Sequence, residues 1–202
     1  MSGKTLSALR AIIRQLLKDE FQAGTDLEWQ DDELDLHIGE VVSEISDYKP
    51  YKVKETLTTT DGSRELDISS IEDLLSIEKL EYETGNYPRD YRNFNWIDSE
   101  TIEIDVAATP GDAEDVYVYC RKLHQLTETS STLNPQLERV LVLGVCGLAA
   151  ISKAKSHINK VNVGGGRTPA DMQSWGVSKL ALYRAELKRI ATPKTYKEYS
   201  KS

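Results

Sequence analysis

The chain has 202 residues, 39% of them hydrophobic and 29% charged, with a net charge of −8. That apolar content supports a real core and excludes global disorder. No run reaches the eighteen or so uncharged apolar residues of a membrane helix, and the charged, amphipathic stretch at residues 4–21 does not read as a secretory signal.

Residues 5–21 carry Leu6, Leu9, Ile12, Ile13, Leu16, Leu17 and Phe21 at spacings of three and four, the period of one helical face. A second helix is expected from Asp31 to about Asp47. Asp31 is placed to cap it, and Asp32, Glu33 and Asp35 suit the positive end of its dipole. Trp29 sits where it would fold back on the first turn as a staple, and Pro50 closes the segment. The period then switches to two. "VKETLTTT" (53–60) reads as a strand, "TDGS" (60–63) as a tight hairpin turn, and "RELDIS" (64–69) as the returning strand. "SIEDLL" (70–75) reads as one helical turn and "SIEKLEYE" (76–83) as a strand. "TGNYPRDYRNFNW" (84–96) reads as an aromatic, polar loop. "TIEIDVA" (101–107) and "DVYVYCRKL" (115–123) alternate as strands. About five strands are therefore expected between 52 and 123.

Helical signals resume at Pro135, a residue suited to a first helical turn. "VLVLGVCGLAAI" (140–151) is apolar nearly all round. Gly144 and Gly147 weaken that helix by roughly 1 kcal/mol each against alanine, which makes sense if a neighbouring helix approaches closely there. A last helix is expected from about Pro169 to Ile190, then a basic, tyrosine-bearing tail. The expected fold is α+β: a four-helix bundle of residues 1–50 and 130–192, a small β-rich insertion of about five strands at 51–129, and an extended tail at 193–202.

The search for chemistry starts at "KVNVGGGRTPADM" (160–172). A phosphate loop needs two glycines four residues apart, then Lys and Ser/Thr, after a buried strand. Here the spacing, the lysine and the strand are all missing, so Gly164, Gly165, Gly166 and Arg167 read as a joint whose tip is a candidate subunit-interface loop. The acids of "DLEWQDDELD" (26–35) lack the glycine of a calcium loop and read as helix caps. His37, His124 and His157 stand singly, outside any metal spacing. Cys120 and Cys146 read as core residues, and no pairing pattern joins them, which fits synthesis in a reducing compartment. No catalytic constellation, cofactor motif or metal motif is found, and the expectation is a protein that is not an enzyme.

Charge is unevenly placed. Residues 151–202 hold eleven Lys/Arg against three Asp/Glu, a sum of +8, and residues 1–150 sum to −16. One reading of the basic third is nucleic-acid binding through Lys153, Lys155, Lys160, Lys179, Arg184, Lys188 and Arg189, with strong salt dependence. The other is solvated helix faces and favourable charge at helix C-termini.

The order of features resembles the head-to-tail adaptor (connector) proteins of tailed bacteriophages. The resemblance rests on "LEWQDDELDLHIGEVVSEIS", on "LTTTDGSRELDIS" followed by "IEDLLSIEKLEYE", on "FNWIDSETIEIDVAATPGDAEDVYVYCRKLHQL" as paired strands, and on "LERVLVLGVCGLAAI" with the terminal amphipathic helix. It covers most of 5–190 and is one of pattern and order. It implies a virion structural protein, made in the host cytoplasm and placed in the neck. Such proteins form a ring, commonly of twelve copies, that docks on the portal, extends the DNA channel and presents a surface to the next neck or tail component. DNA would pass without sequence-specific binding, and no membrane would be involved. The C-terminal tail would dock on the portal, with Tyr196 and Tyr199 as anchors and Lys194 and Lys197 pairing with acids. Another neck- or tail-completion role would share the same composition.

Overall fold

The computed structural model describes residues 3–19, 27–157 and 168–191. It divides the chain into two compact units: a helical one of Met1–Lys49 with His124–Ser202, and a β unit of Pro50–Leu123. The element order is α1 (Leu6–Leu17), α2 (Asp31–Tyr48), β1 (Tyr51–Thr58), β2 (Glu65–Asp67), β3 (Leu74–Tyr82), β4 (Tyr91–Arg92), β5 (Phe94–Trp96), β6 (Thr101–Ile104), β7 (Asp115–Lys122), α3 (Pro135–His157) and α4 (Pro169–Ala191).

In the helical unit, α1 is capped by Thr5, whose hydroxyl accepts the Ala8 N–H. It stops at Lys18, a left-handed residue with φ of 56°. The first turn of α2 is fixed by Glu33 rather than by an Asp31 cap. Glu33 Oε2 accepts the Gln30 N–H at 3.1 Å, which makes Gln30 the capping residue. Trp29, just before that cap, is buried in the same core as Leu34 of the first turn. It is 2% exposed and its indole N–H donates to the Ala149 carbonyl of α3 at 3.2 Å. Leu9, Ile13, Leu34, Ile38, Val41, Leu141 and Val145 join it in one core.

Helix α3 is the hub, packing on α1, α2 and α4. Its two internal glycines explain the closeness of α4. A Cβ on Gly147 would lie 2.7 Å from Leu180 Cγ and 3.1 Å from the Gly176 carbonyl, and one on Gly176 would lie 2.9 Å from the Gly147 carbonyl. Any side chain there would push backbone from backbone.

The β unit corrects the expected architecture. The chain is α+β, but the strands do not form one small five-stranded insertion between two helix pairs. Seven strands are spread from Tyr51 to Lys122 in two antiparallel sheets, ordered β1-β7-β3-β4 and β2-β6-β5. The two extra strands, β4 and β5, come from the stretch expected to be a loop, where Tyr91, Phe94 and Trp96 supply the β-prone residues. The 70–75 stretch is not a helical turn, since β3 already begins at Leu74. "TDGS" does make a turn, with Gly62 at φ of 70°, but it does not close a hairpin. β1 pairs with β7 along eight residues, whereas β2 pairs with β6. β6 and β7 likewise lie in different sheets rather than pairing with each other.

Both sheets turn their apolar side chains into a single core of Leu66, Ile102 and Ile104 from one and Leu80, Val116 and Val118 from the other. Because side chains alternate along a strand, each sheet keeps one outer face directed away from that core.

Candidate functional site

The outer face of the four-stranded sheet is set by register. Lys54 of β1 and Lys79 of β3 both stand opposite Tyr119 of β7, and Thr56 and Glu81 both stand opposite Tyr117. A register shift between Ile77 and Lys79 accompanies a second outward side chain, Glu78. Tyr91 of β4 stands opposite Glu81.

The tyrosines are layered with cations. Lys54 Nζ lies 3.4 Å from the centre of the Tyr117 ring and Lys79 Nζ lies 4.6 Å from that of Tyr91. The Arg89 guanidinium donates to the Tyr119 hydroxyl at 2.9 Å and lies 5.9 Å from the centre of that ring. Tyr119 and Tyr91 meet edge to face, 6.1 Å apart. Each such cation–ring contact contributes about 0.5–1 kcal/mol when exposed. Beneath them lies Glu81, 3% exposed. Its Oε2 accepts the Tyr119 hydroxyl at 2.7 Å, and Arg89 approaches it at 3.8 Å. That hydrogen bond holds the phenol proton and raises the Tyr119 pKa. Lys52 and Arg121 share Glu78, which is held below the usual carboxylate range mainly by its bond to Lys52. On this face five cations, Lys52, Lys54, Lys79, Arg89 and Arg121, stand against Glu78, Glu81 and, at the start of β7, Asp115.

The outer face of the three-stranded sheet is the opposite. Glu65 of β2 stands directly opposite Glu103 of β6. Asp67, two residues from Glu65, and Asp105, just past the end of β6, are both exposed. The ion pairs of the β unit join Lys52 and Arg121 to Glu78, Lys122 to Glu55, Arg89 to Glu81, and Arg92 to Glu83 and Asp90. Among the described residues none of those pairs includes the four acids of this face. The whole unit holds eight basic and seventeen acidic residues, so the cationic face is an exception within an acidic body.

The helical unit carries a different feature, a mainly apolar groove of about 350 Å³ lined by Leu16, Leu17, Trp29, Ala150, Met172 and Trp175, with Lys18 and Asp171 also on its wall. Lys153 lies 5.6 Å over the Trp29 ring and Lys179 lies 5.2 Å over that of Trp175.

Gly164, Gly165, Gly166 and Arg167 lie outside the described residues, as do Lys160, Lys194, Tyr196, Lys197 and Tyr199. Of the basic helix residues, Lys153 also approaches Glu33 at 3.6 Å and Arg189 bonds Glu186 at 2.6 Å. Cys120 and Cys146 are buried, and desolvation pushes their thiols up to about 11 and about 12. Thiols held protonated in this way are poor nucleophiles. His124 is buried, with Nε2 donating to the Lys49 carbonyl at 2.9 Å and Nδ1 3.0 Å from the Thr132 hydroxyl. Among the described residues no group of three or more His, Cys, Asp or Glu is placed to hold a metal ion. No helix among them is long and apolar enough to cross a membrane.

Sequence reading singled out neither β face. The signal was present in "YKVK" and "DVYVYCR", where lysines, tyrosines and an arginine occupy the outward positions of alternating strands. It becomes visible only once β1 and β7 are known to be neighbours. The chain matches no protein-family model, and a search of the curated proteins finds no significant match.

Proposed function

We propose that the protein is a virion structural subunit of the head-to-tail adaptor type. Copies assemble into a ring, twelve in number by the resemblance. The ring docks on a portal protein, extends the DNA channel and offers a surface to the next neck or tail component. The protein is made in the host cytoplasm, resides in the virion neck and catalyses no reaction.

One observation carries this reading beyond the resemblance. The four-stranded sheet presents tyrosines and cations in one layer, and among the described residues no group of three or more His, Cys, Asp or Glu is placed to hold a metal ion. Tyr and Arg are the residue types that dominate protein–protein contacts, because they offer large, rigid contact area together with hydrogen bonds or charge. Such a face suits attachment rather than turnover. The lysines of α3 and α4 lend less to nucleic-acid binding, since Lys153 and Lys179 already engage tryptophan rings.

Mass measurement of the protein with and without purified portal protein tests the reading. The expected result is a stoichiometric ring on the portal that is lost when residues 193–202 are deleted while the fold persists. No complex with the portal at any concentration would refute it.

A further inference from the structure

We infer that the tyrosine–cation face of the four-stranded sheet is the docking site for a second copy of this chain, and that its occupant is the acidic outer face of that copy's three-stranded sheet. The inference deepens the adaptor reading and rests on it for the closed ring, but the contact is argued from the β unit alone.

The first ground is charge complementarity. Lys54 and Lys79 lie over tyrosine rings, and Arg89 bonds the Tyr119 hydroxyl at 2.9 Å while coming no nearer than 3.8 Å to Glu81 in its ion pair. Glu65 and Glu103 are set directly opposite each other, an arrangement that costs stability in an isolated sheet. Cations from a neighbour would neutralise that pair.

The second ground is direction. The two faces look away from the same core, so they lie on opposite sides of one unit. One copy cannot satisfy itself. Contact joins unlike faces of successive copies, which is the heterologous arrangement that closes into rings or runs on as filaments.

The third ground separates protein from nucleic acid as the occupant. A single strand binds by stacking its bases on open aromatic faces. Here the Tyr117 and Tyr91 rings are already covered by lysine ammonium groups. What the surface offers outward is a layer of positive charge, suited to carboxylates.

Size sets the expected strength. The four-stranded face spans at most roughly 19 by 26 Å, or about 500 Å², and the three-stranded face that would meet it, with strands of three or four residues, spans only about 14 by 13 Å, or about 200 Å². A stable pairwise interface buries about 800 Å² per partner. Two copies therefore associate weakly and in a salt-sensitive way, and ring closure supplies the rest through effective concentration.

Sedimentation of the full chain at low ionic strength, over a concentration series, provides the test. The wild type should self-associate, and salt should weaken that association by about tenfold or more. The Lys54→Glu/Lys79→Glu variant should remain monomeric alone, and so should the Glu65→Lys/Glu103→Lys variant. An equimolar mixture should regain association, because each offers the other a complementary face. A folding defect would not be rescued by mixing, and circular dichroism confirms that each variant folds.

A wild type that stays monomeric throughout overturns the inference. So does a mixture no more associated than its components, or association untouched by either pair of substitutions. Binding of a single-stranded oligothymidylate that Lys54→Glu/Lys79→Glu abolishes, without change in self-association, also overturns it in favour of nucleic acid. A ring on the portal that tolerates either pair of substitutions made alone would sink this contact and leave the adaptor reading standing. Self-association that behaves as expected, with no portal binding, would do the reverse.

Discussion

In the helical unit, Arg14 bonds Asp19 at 2.6 Å, the Trp29 carbonyl at 2.8 Å and Asp31 at 2.5 Å. Arg10 grips Asp35 through two nitrogens, and Lys4 meets the buried Glu138 with both its backbone N–H and its ammonium. Asp19 also accepts the Glu28 and Trp29 N–H groups. Charge there ties segments together across long stretches of chain. In the β unit, Lys54, Lys79, Glu65 and Glu103 are placed on outer faces and sorted by sign. The same residue types thus do two jobs. Where carboxylates and cations are bonded inward they specify the fold. Where they stay outward and segregated, folding gains little from them, and they are the charges the proposed contact would use.

The sharpest way to break this contrast is through the two cores. Leu141 and Leu80 are both fully buried, one in each unit. Leu141→Ala and Leu80→Ala should each cost about 2–5 kcal/mol, through lost transfer energy and the cavity left behind. Amide hydrogen exchange should rise chiefly within the unit that holds the substitution. Equal loss of protection in both units from either change would show one cooperative core and erase the distinction. Gly176→Ala comes next, at about 1–3 kcal/mol. Its new methyl meets the Gly147 carbonyl and Ile151 Cγ1, so α3 and α4 must part. Urea denaturation midpoints measure the loss, and an unchanged midpoint would mean the helices have room to spare.

The helices were legible because their signal is local. The three-and-four spacing of Leu9, Ile13 and Leu17, and of Leu34, Ile38, Val41 and Ile45, marks the faces that are buried. Gly144 and Gly147 announced a close neighbour without saying which, and α4 supplies it. The sheets were less legible because pairing is not local. Asp61-Gly62 makes a true turn, yet the strands it links belong to different sheets, since β1 finds its partner some sixty residues away in β7. Short strands such as Tyr91–Arg92 have too few residues to show a period. The candidate faces were invisible for the same reason: Lys54, Tyr119 and Lys79 become neighbours only through register.

His124 gives a smaller, pH-dependent effect within the helical unit. Burial lowers its pKa below the ordinary 6.5, against hydrogen bonds that oppose the shift. The folded form therefore holds the ring neutral, while the unfolded chain takes up a proton near 6.5. The unfolded state binds more protons in that window, so stability falls as pH drops below about 6.5 and levels off below the lowered folded value. Urea midpoints of the wild type and of His124→Gln should converge as pH falls from 7.5 to 5. A constant gap would mean that His124 is not the titrating group.

The smallest effect is the most telling. Glu65 and Glu103 face each other across β2 and β6, and like charges so placed repel at a cost of a few tenths of a kcal/mol. Glu103→Gln keeps the shape and hydrogen-bonding reach of the side chain and removes one charge. It should raise the thermal midpoint slightly, by an amount equivalent to about 0.2–0.5 kcal/mol, and high salt should shrink the gain by screening the pair in the wild type. The same substitution should weaken self-association, because a carboxylate that disfavours the lone sheet is the one a neighbour's lysine would meet. Stability and assembly would then move in opposite directions from a single atom-scale change. If Glu103→Gln instead lowers stability, the glutamate belongs with Asp19 and Glu138 among the charges that hold the fold, and the contrast between the two units fails at its most direct point.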